Sequence, residues 1–220
     1  MKSLWTLALD LLFPPKCVFC QTLLEKEEEG LCARCEKELP WLSGGPAETA
    51  GEFFSLCVSP LRYQGRVRES VHRYKFGGAV SYAAAYGRLL ADCVEERLAG
   101  RFDLVSWVPL SRKRLRQRGY DQARLLAEEL ARRLDLRAEP LLEKVRHTEA
   151  QSGLSSDSGV RRANVLGAYR ALSPGLLAGK RVLLVDDVAT TGATLSECAR
   201  VLRTAGAADV LCCTLAKAGK

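Results

Sequence analysis

The sequence is poor in histidine, with two in 220 residues. His72 falls on a basic helical stretch and reads as structural, while His147 lies in a polar loop. Chemistry that needs several imidazoles is therefore excluded. A mechanism that depends on positioning more than on a strong general base suits the chain. Long apolar runs are also missing, for no segment approaches the roughly 18 residues needed to cross a bilayer. The first 13 residues look superficially like an export signal, but Asp10 breaks the apolar run and Pro14-Pro15 follows without an A-x-A cleavage site. Leu4, Leu7, Ala8, Leu11 and Leu12 instead share one helical face, as in a short amphipathic helix. Internal repeats and low-complexity tracts are absent. An excess of acid is lacking too: the formal net charge is +7, a weak pointer to polyanion affinity. A length of 220 residues with a 47% hydrophobic share fits one α/β domain plus a small module.

Cysteine runs the other way, with nine residues. The odd count, the missing export signal and a sizeable core argue against disulfides and for a reducing cytoplasm. Cys17-Val-Phe-Cys20 and Cys32-Ala-Arg-Cys35 are two C-x-x-C pairs separated by eleven residues. Each pair fits a tight knuckle, so four thiolates can reach one tetrahedral zinc. Four protein ligands leave no open position, so the expected metal is structural. The competing reading, a redox-active dithiol, lacks the strand–helix context of that chemistry. Cys57, Cys93, Cys198, Cys212 and Cys213 sit in apolar surroundings and read as small buried hydrophobes.

The most informative stretch is Arg181-Val-Leu-Leu-Val-Asp-Asp-Val-Ala-Thr-Thr-Gly-Ala-Thr194. Val182 to Val185 predict a strand buried on both faces, as in a parallel sheet. Asp186 and Asp187 stand at its carboxyl end, where open α/β sheets bind ligands. The small-residue turn Ala189-Thr190-Thr191-Gly192-Ala193-Thr194 follows, with a helical pattern from Leu195. Backbone N–H groups and threonine hydroxyls at a helix N-terminus make an anion site. Ionised carboxylates only accept hydrogen bonds, so they suit sugar hydroxyls. Together these groups describe a pocket for a ribose bearing a 5′-phosphate.

Elsewhere, Leu42 to Gly51 reads as a linker between a cysteine module over 1–45 and a larger domain over 53–220. Phe53–Tyr63 suggests a strand or hairpin, Val67–Tyr74 and Ala79–Leu98 helices, Asp103–Val108 a strand, Tyr120–Leu134 a helix and Asp209–Leu215 a last strand. This alternation argues for a parallel sheet flanked by helices. Arg112, Lys113, Arg114, Arg116 and Arg118 follow the Trp107 strand directly, so they fall at the same sheet edge as Asp186. Arginine forks match phosphate oxygens, which makes the run a candidate pyrophosphate arm. A solvated basic face and contact with a nucleic-acid backbone remain open for it. The polar stretch from Arg146 to Asn164 has the length of a lid or binding loop, with plain surface disorder as the alternative.

The Asp-Asp and Thr-Thr-Gly-x-Thr pattern resembles the signature of the type I phosphoribosyltransferases, which use phosphoribosyl pyrophosphate (PRPP). The order of the four-cysteine module, Tyr63-Gln-Gly65, Tyr74-Lys75-Phe76, Arg118-Gly-Tyr-Asp-Gln-Ala123, the Arg146–Asn164 loop and the acidic pair resembles the ComF family along nearly the whole chain. The resemblance implies a phosphoribosyltransferase-like fold linked to competence and DNA uptake. It implies that Asp186 and Asp187 bind the ribose hydroxyls, and that Ala189, Thr190, Thr191, Gly192, Ala193 and Thr194 bind the 5′-phosphate. Arg112, Lys113 and Arg114 would fall in the pyrophosphate loop. As an enzyme, the chain would use Mg²⁺ with PRPP and pass the phosphoribosyl group to a nitrogen acceptor such as a nucleobase. The alternative is an accessory protein whose basic surface and zinc module, flanked by Trp5 and Trp41, engage single-stranded DNA or a competence partner.

Overall fold

Val182, Leu183, Leu184 and Val185 are all fully buried, and they pack alternately into two different layers. Leu183 and Val185 face one helical layer while Val182 and Leu184 face the other, as the two-residue period of a strand requires. A strand covered on both faces forms the centre of the sheet. The computed structural model describes residues 14–146 and 165–219. The expected N-terminal helix and nearly all of the 146–164 loop lie outside them.

In chain order the elements begin with the short helix Ala33–Glu38 (α1) and the strands Glu48–Thr49 (β1), Leu56–Val58 (β2) and Leu61–Arg62 (β3). Helices Gly65–Phe76 (α2) and Tyr82–Leu98 (α3) precede strand Leu104–Trp107 (β4) and helices Arg112–Arg118 (α4) and Gln122–Arg133 (α5). A ribbon of Leu142–Lys144 (β5) and Tyr169–Ala171 (β6) is followed by the single turn Pro174–Leu177 (α6). Strand Arg181–Ala189 (β7), helix Ala193–Thr204 (α7) and strand Asp209–Lys217 (β8) complete the described chain. The main sheet has the order β1-β2-β8-β7-β4, with β3 also on β8, and every pairing except β1–β2 is parallel. Helices α3 and α5 cover one face, and α7 covers the other.

Three details differ from the sequence expectations. Strand β7 runs through the acidic pair to Ala189 because its ladder with β8 continues to Ala189 opposite Lys217. The stretch expected to be a linker contains β1, since Glu48 pairs with Val58. The basic run is helix α4: Ser111 accepts from the Arg114 N–H at its start, and Gly119 ends it at φ 81°. That left-handed conformation is cheap only for glycine.

The cysteine knuckle is seated on the larger layer. Phe19 stacks near Tyr86, with centroids 5.8 Å apart, and Arg73 donates to the Val18 and Phe19 carbonyls. Gly30 lies so close to α3 that a β-carbon there would meet the Ala85 β-carbon at 2.4 Å. Among the described residues no helix is long and apolar enough to cross a membrane.

Candidate functional site

Parallel pairing of β4 with β7 sets Trp107 opposite Val185. The segments that follow the two strands therefore emerge at one sheet edge. Asp186 and Asp187 arise there from β7, the Thr190–Thr194 turn leads into α7, and α4 follows β4. Gly192 precedes α7 at φ 74°, and the Thr191 hydroxyl accepts from the Ala193 N–H at 3.4 Å.

The acidic pair meets a cation that the sequence reading did not place there. Lys75, in the last turn of α2, donates from Nζ to Asp187 Oδ1 at 2.8 Å, and the Asp187 side chain is only 5% exposed. Burial works against the Lys75 ammonium, but the Asp187 charge, their hydrogen bond and the Asp186 charge hold its proton more tightly than usual. Asp186 Oδ1 accepts from the Asp187 N–H at 2.8 Å. Burial first, and the Asp187 charge second, push the Asp186 carboxyl up to about 8. The Lys75 ammonium thus offsets charge in this acidic cluster, and Asp186 holds a proton more readily than an ordinary carboxyl. Asp187 Oδ2 is buried with no hydrogen-bond partner among the described residues. An orphaned buried carboxylate oxygen is costly, and it is ready to accept from a hydroxyl.

Of the basic run, Arg112 and Lys113 are exposed on the first turn of α4. Arg114 and Arg118 line a cavity of about 370 Å³ together with Lys75 and Tyr120. Arg118 lies over the Phe76 ring, 4.8 Å from its centroid, and its Nη1 is buried without a partner among the described residues. Burial lowers its proton affinity, opposed by the Asp187 charge. Tyr74 and Tyr120 tie this corner together: the Tyr120 hydroxyl donates to the Tyr74 carbonyl, and the Tyr74 hydroxyl donates to the Gln122 carbonyl at 2.9 Å. Asp121 starts α5 by accepting from the Arg124 N–H at 3.2 Å, and it also accepts from the Leu110 N–H at 2.9 Å.

Within electrostatic reach of Asp186, Lys144 of β5 donates to the Tyr169 hydroxyl at 3.0 Å. Burial, then the Arg114 charge, push the Lys144 amine down, while Asp186 pulls it up. Sequence reasoning missed Lys144 altogether. Lys75 was visible only inside Tyr74-Lys75-Phe76, and Arg118 only as one cation of a run and as the head of Arg118-Gly-Tyr-Asp-Gln-Ala123.

Away from the sheet edge, the sulfurs of Cys17, Cys20, Cys32 and Cys35 lie within 4.8 Å of one another, with Cys20 and Cys32 at 3.5 Å. A tetrahedron with metal–sulfur bonds of about 2.3 Å has edges of about 3.8 Å, so the set fits one zinc. The Cys32 sulfur also caps α1 by accepting from the Cys35 N–H at 3.5 Å. Burial and the neighbouring Cys20 and Cys17 push the Cys35 thiol well above its usual range. Metal binding to such a set releases the thiol protons. The other five cysteines are buried.

Known proteins agree with these two parts. Residues 121–220 match the phosphoribosyl transferase domain, and residues 8–51 match the double zinc ribbon domain. Competence protein F of Haemophilus influenzae is 30% identical over 224 residues, covering 92% of this chain and 97% of that protein. DNA utilization protein YhgH of Salmonella typhi is 34% identical over 196 residues, covering 84% of this chain and 78% of that protein. Competence protein ComFC of Streptococcus pneumoniae is 28% identical over 204 residues, covering 88% of this chain and 84% of that protein. The zinc-ligand set, the mostly parallel sheet with its acidic pair and this full-length similarity place the chain in the ComF family, with a phosphoribosyltransferase domain behind an N-terminal zinc ribbon.

Proposed function

We propose that the chain binds PRPP at the carboxyl end of β7 and transfers its phosphoribosyl group to a nitrogen acceptor, in the service of DNA uptake or use. One observation carries this reading: Asp187 Oδ2 is a buried, unpartnered acceptor directly before a small-residue turn that opens a helix. Asp186 and Asp187 hold the ribose hydroxyls, and the backbone from Ala189 to Thr194 cradles the 5′-phosphate. The first turn of α4, with Arg112, Lys113 and Arg114, takes the pyrophosphate, which arrives as its Mg²⁺ complex.

In the reaction the bond from C1 to the pyrophosphate oxygen breaks, and its electron pair leaves with pyrophosphate. The acceptor nitrogen forms the new bond to C1 and loses its proton to solvent or to the departing pyrophosphate. The acidic pair fixes the sugar through its hydroxyls, and positioning supplies most of the acceleration. The names of the relatives, competence and DNA utilization proteins, support the link to DNA.

Calorimetry with PRPP and Mg²⁺ tests the reading. Binding should appear in the native chain and vanish when Asp186→Asn is combined with Asp187→Asn. Unchanged affinity in that double variant would refute it.

A further inference from the structure

The cavity between the end of α2 and α4 is not explained by the phosphoribosyl group alone. It measures about 370 Å³, at the small end of the usual range for ligand sites, and so suits a single small ring system better than a polymer. Lys75, Arg114, Gln117 and Arg118 supply its polar lining, with Phe76 and Tyr120 as its rings. No carboxylate is among the described residues that line it. The floor is shared with the sugar site, because Lys75 is the residue that grips Asp187.

Inorganic pyrophosphate needs cations but has no use for rings. Phe76 is 63% exposed, so part of its ring surface is open to a ligand at the cavity. Its ring already carries the Arg118 guanidinium at 4.8 Å on the cavity side and meets His72 at 4.9 Å. The guanidinium is thus held over the ring, and its buried Nη1 still lacks an acceptor among the described residues. A flat cation with an unused donor fits a flat anion.

We propose that this cavity is the acceptor subsite, and that it selects a planar nitrogen heterocycle bearing a carboxylate, with Arg118 as the specificity-determining residue. The carboxylate pairs with Arg118 Nη1 and the ring lies along the shelf of Phe76 and Tyr120. The ring nitrogen is directed to C1 of a ribose held by Asp186 and Asp187. Positions along α4 divide the work: the first turn meets pyrophosphate, and the last turn meets the acceptor. This inference rests on the phosphoribosyl reading above, and the test separates the two.

Matched probes decide it. Orotate against uracil, and nicotinate against nicotinamide, are titrated into the full chain with and without Mg²⁺ and PRPP. The carboxylated partner of each pair should bind about tenfold tighter or better, as loss of one charge-assisted hydrogen bond implies. Arg118→Met should erase that preference while leaving PRPP affinity within about twofold. Phe76→Ala, which removes both the ring shelf and the face that carries Arg118, should weaken both members of a pair, the carboxylated one at least as much. Equal binding of carboxylated and neutral rings, or binding of neither in both conditions, overturns the proposal. So does an Arg118→Met protein that keeps the preference or loses PRPP instead. A separate PRPP titration reports on the phosphoribosyl reading whatever the rings do.

Discussion

At the zinc knuckle four sulfurs crowd within 4.8 Å, and at the end of β7 two neighbouring carboxylates do much the same with charge. The knuckle is balanced by a metal that bonds to all four ligands and closes the site. The acidic pair is balanced from within, by the ammonium of Lys75 and by the raised proton affinity of Asp186. A closed metal site makes structure. A site balanced by a lysine on a helix end keeps an oxygen unpaired and can exchange its counter-charge for a ligand. The same physical problem, like charges brought together, is thus solved permanently in one region and reversibly in the other.

Stripping zinc should have the largest effect. Structural zinc in a small module contributes on the order of 10 kcal/mol. Val18 and Phe19 share a core with Tyr74 and Tyr86, so the loss should spread to α2 and α3. Melting followed by circular dichroism with a strong chelator, or in Cys35→Ser, should show a large drop in Tm. A melt that ignores the chelator would break the contrast. Next comes Asp187→Asn, which leaves the Lys75 ammonium without its partner and should cost about 3–5 kcal/mol. Lys75→Met in the same background should return part of that, as read by urea unfolding. Strict additivity of the two changes would mean that the lysine does not balance the pair.

The pH dependence sharpens the picture further. Asp186 has a folded value of about 8 against 3.8 for an unperturbed carboxyl. The folded state therefore binds the proton more tightly, and the associated stability is full below about pH 4. It falls as pH rises toward 8 and is flat above that. Denaturant midpoints of Asp186→Asn should lack this slope, and a wild-type slope in the variant would place the proton elsewhere. The smallest effect is expected at Gly119, whose φ of 81° ends α4 next to Arg118. Gly119→Ala should cost about 1 kcal/mol through backbone strain. A neutral outcome in a thermal melt would mean that the α4 terminus rearranges freely.

Much of this was legible in the chain. Val182–Val185 announced a doubly buried strand, and the spacing of Cys17, Cys20, Cys32 and Cys35 announced a zinc set. The helix expected over Tyr120–Leu134 is α5, capped by Asp121. Each of these signals is local, carried by residues within a few positions or one short loop. The limits of β7 were misjudged because pairing with β8, and not the residues of β7 alone, keeps the strand going past two aspartates. Helix α4 was hidden because its seven residues Arg112–Arg118 include no buried residue, so no apolar stripe betrays it. Ser111 and Gly119 were the only signs, at its two ends.

The sequence by itself determined the metal set, the sheet class and the position of the acidic turn, because each depends on neighbours along the chain. The tertiary structure alone decided which cations serve that turn. Lys75, Arg118 and Lys144 come from three separate elements, and their flanking residues do not show that they converge on the acidic pair, in a chain with 33 lysines and arginines. Packing of α2, α4 and the β5–β6 ribbon around the carboxyl end of β7 takes these side chains partly out of water. There the screening that levels surface charges is lost, and position begins to set charge state and partner.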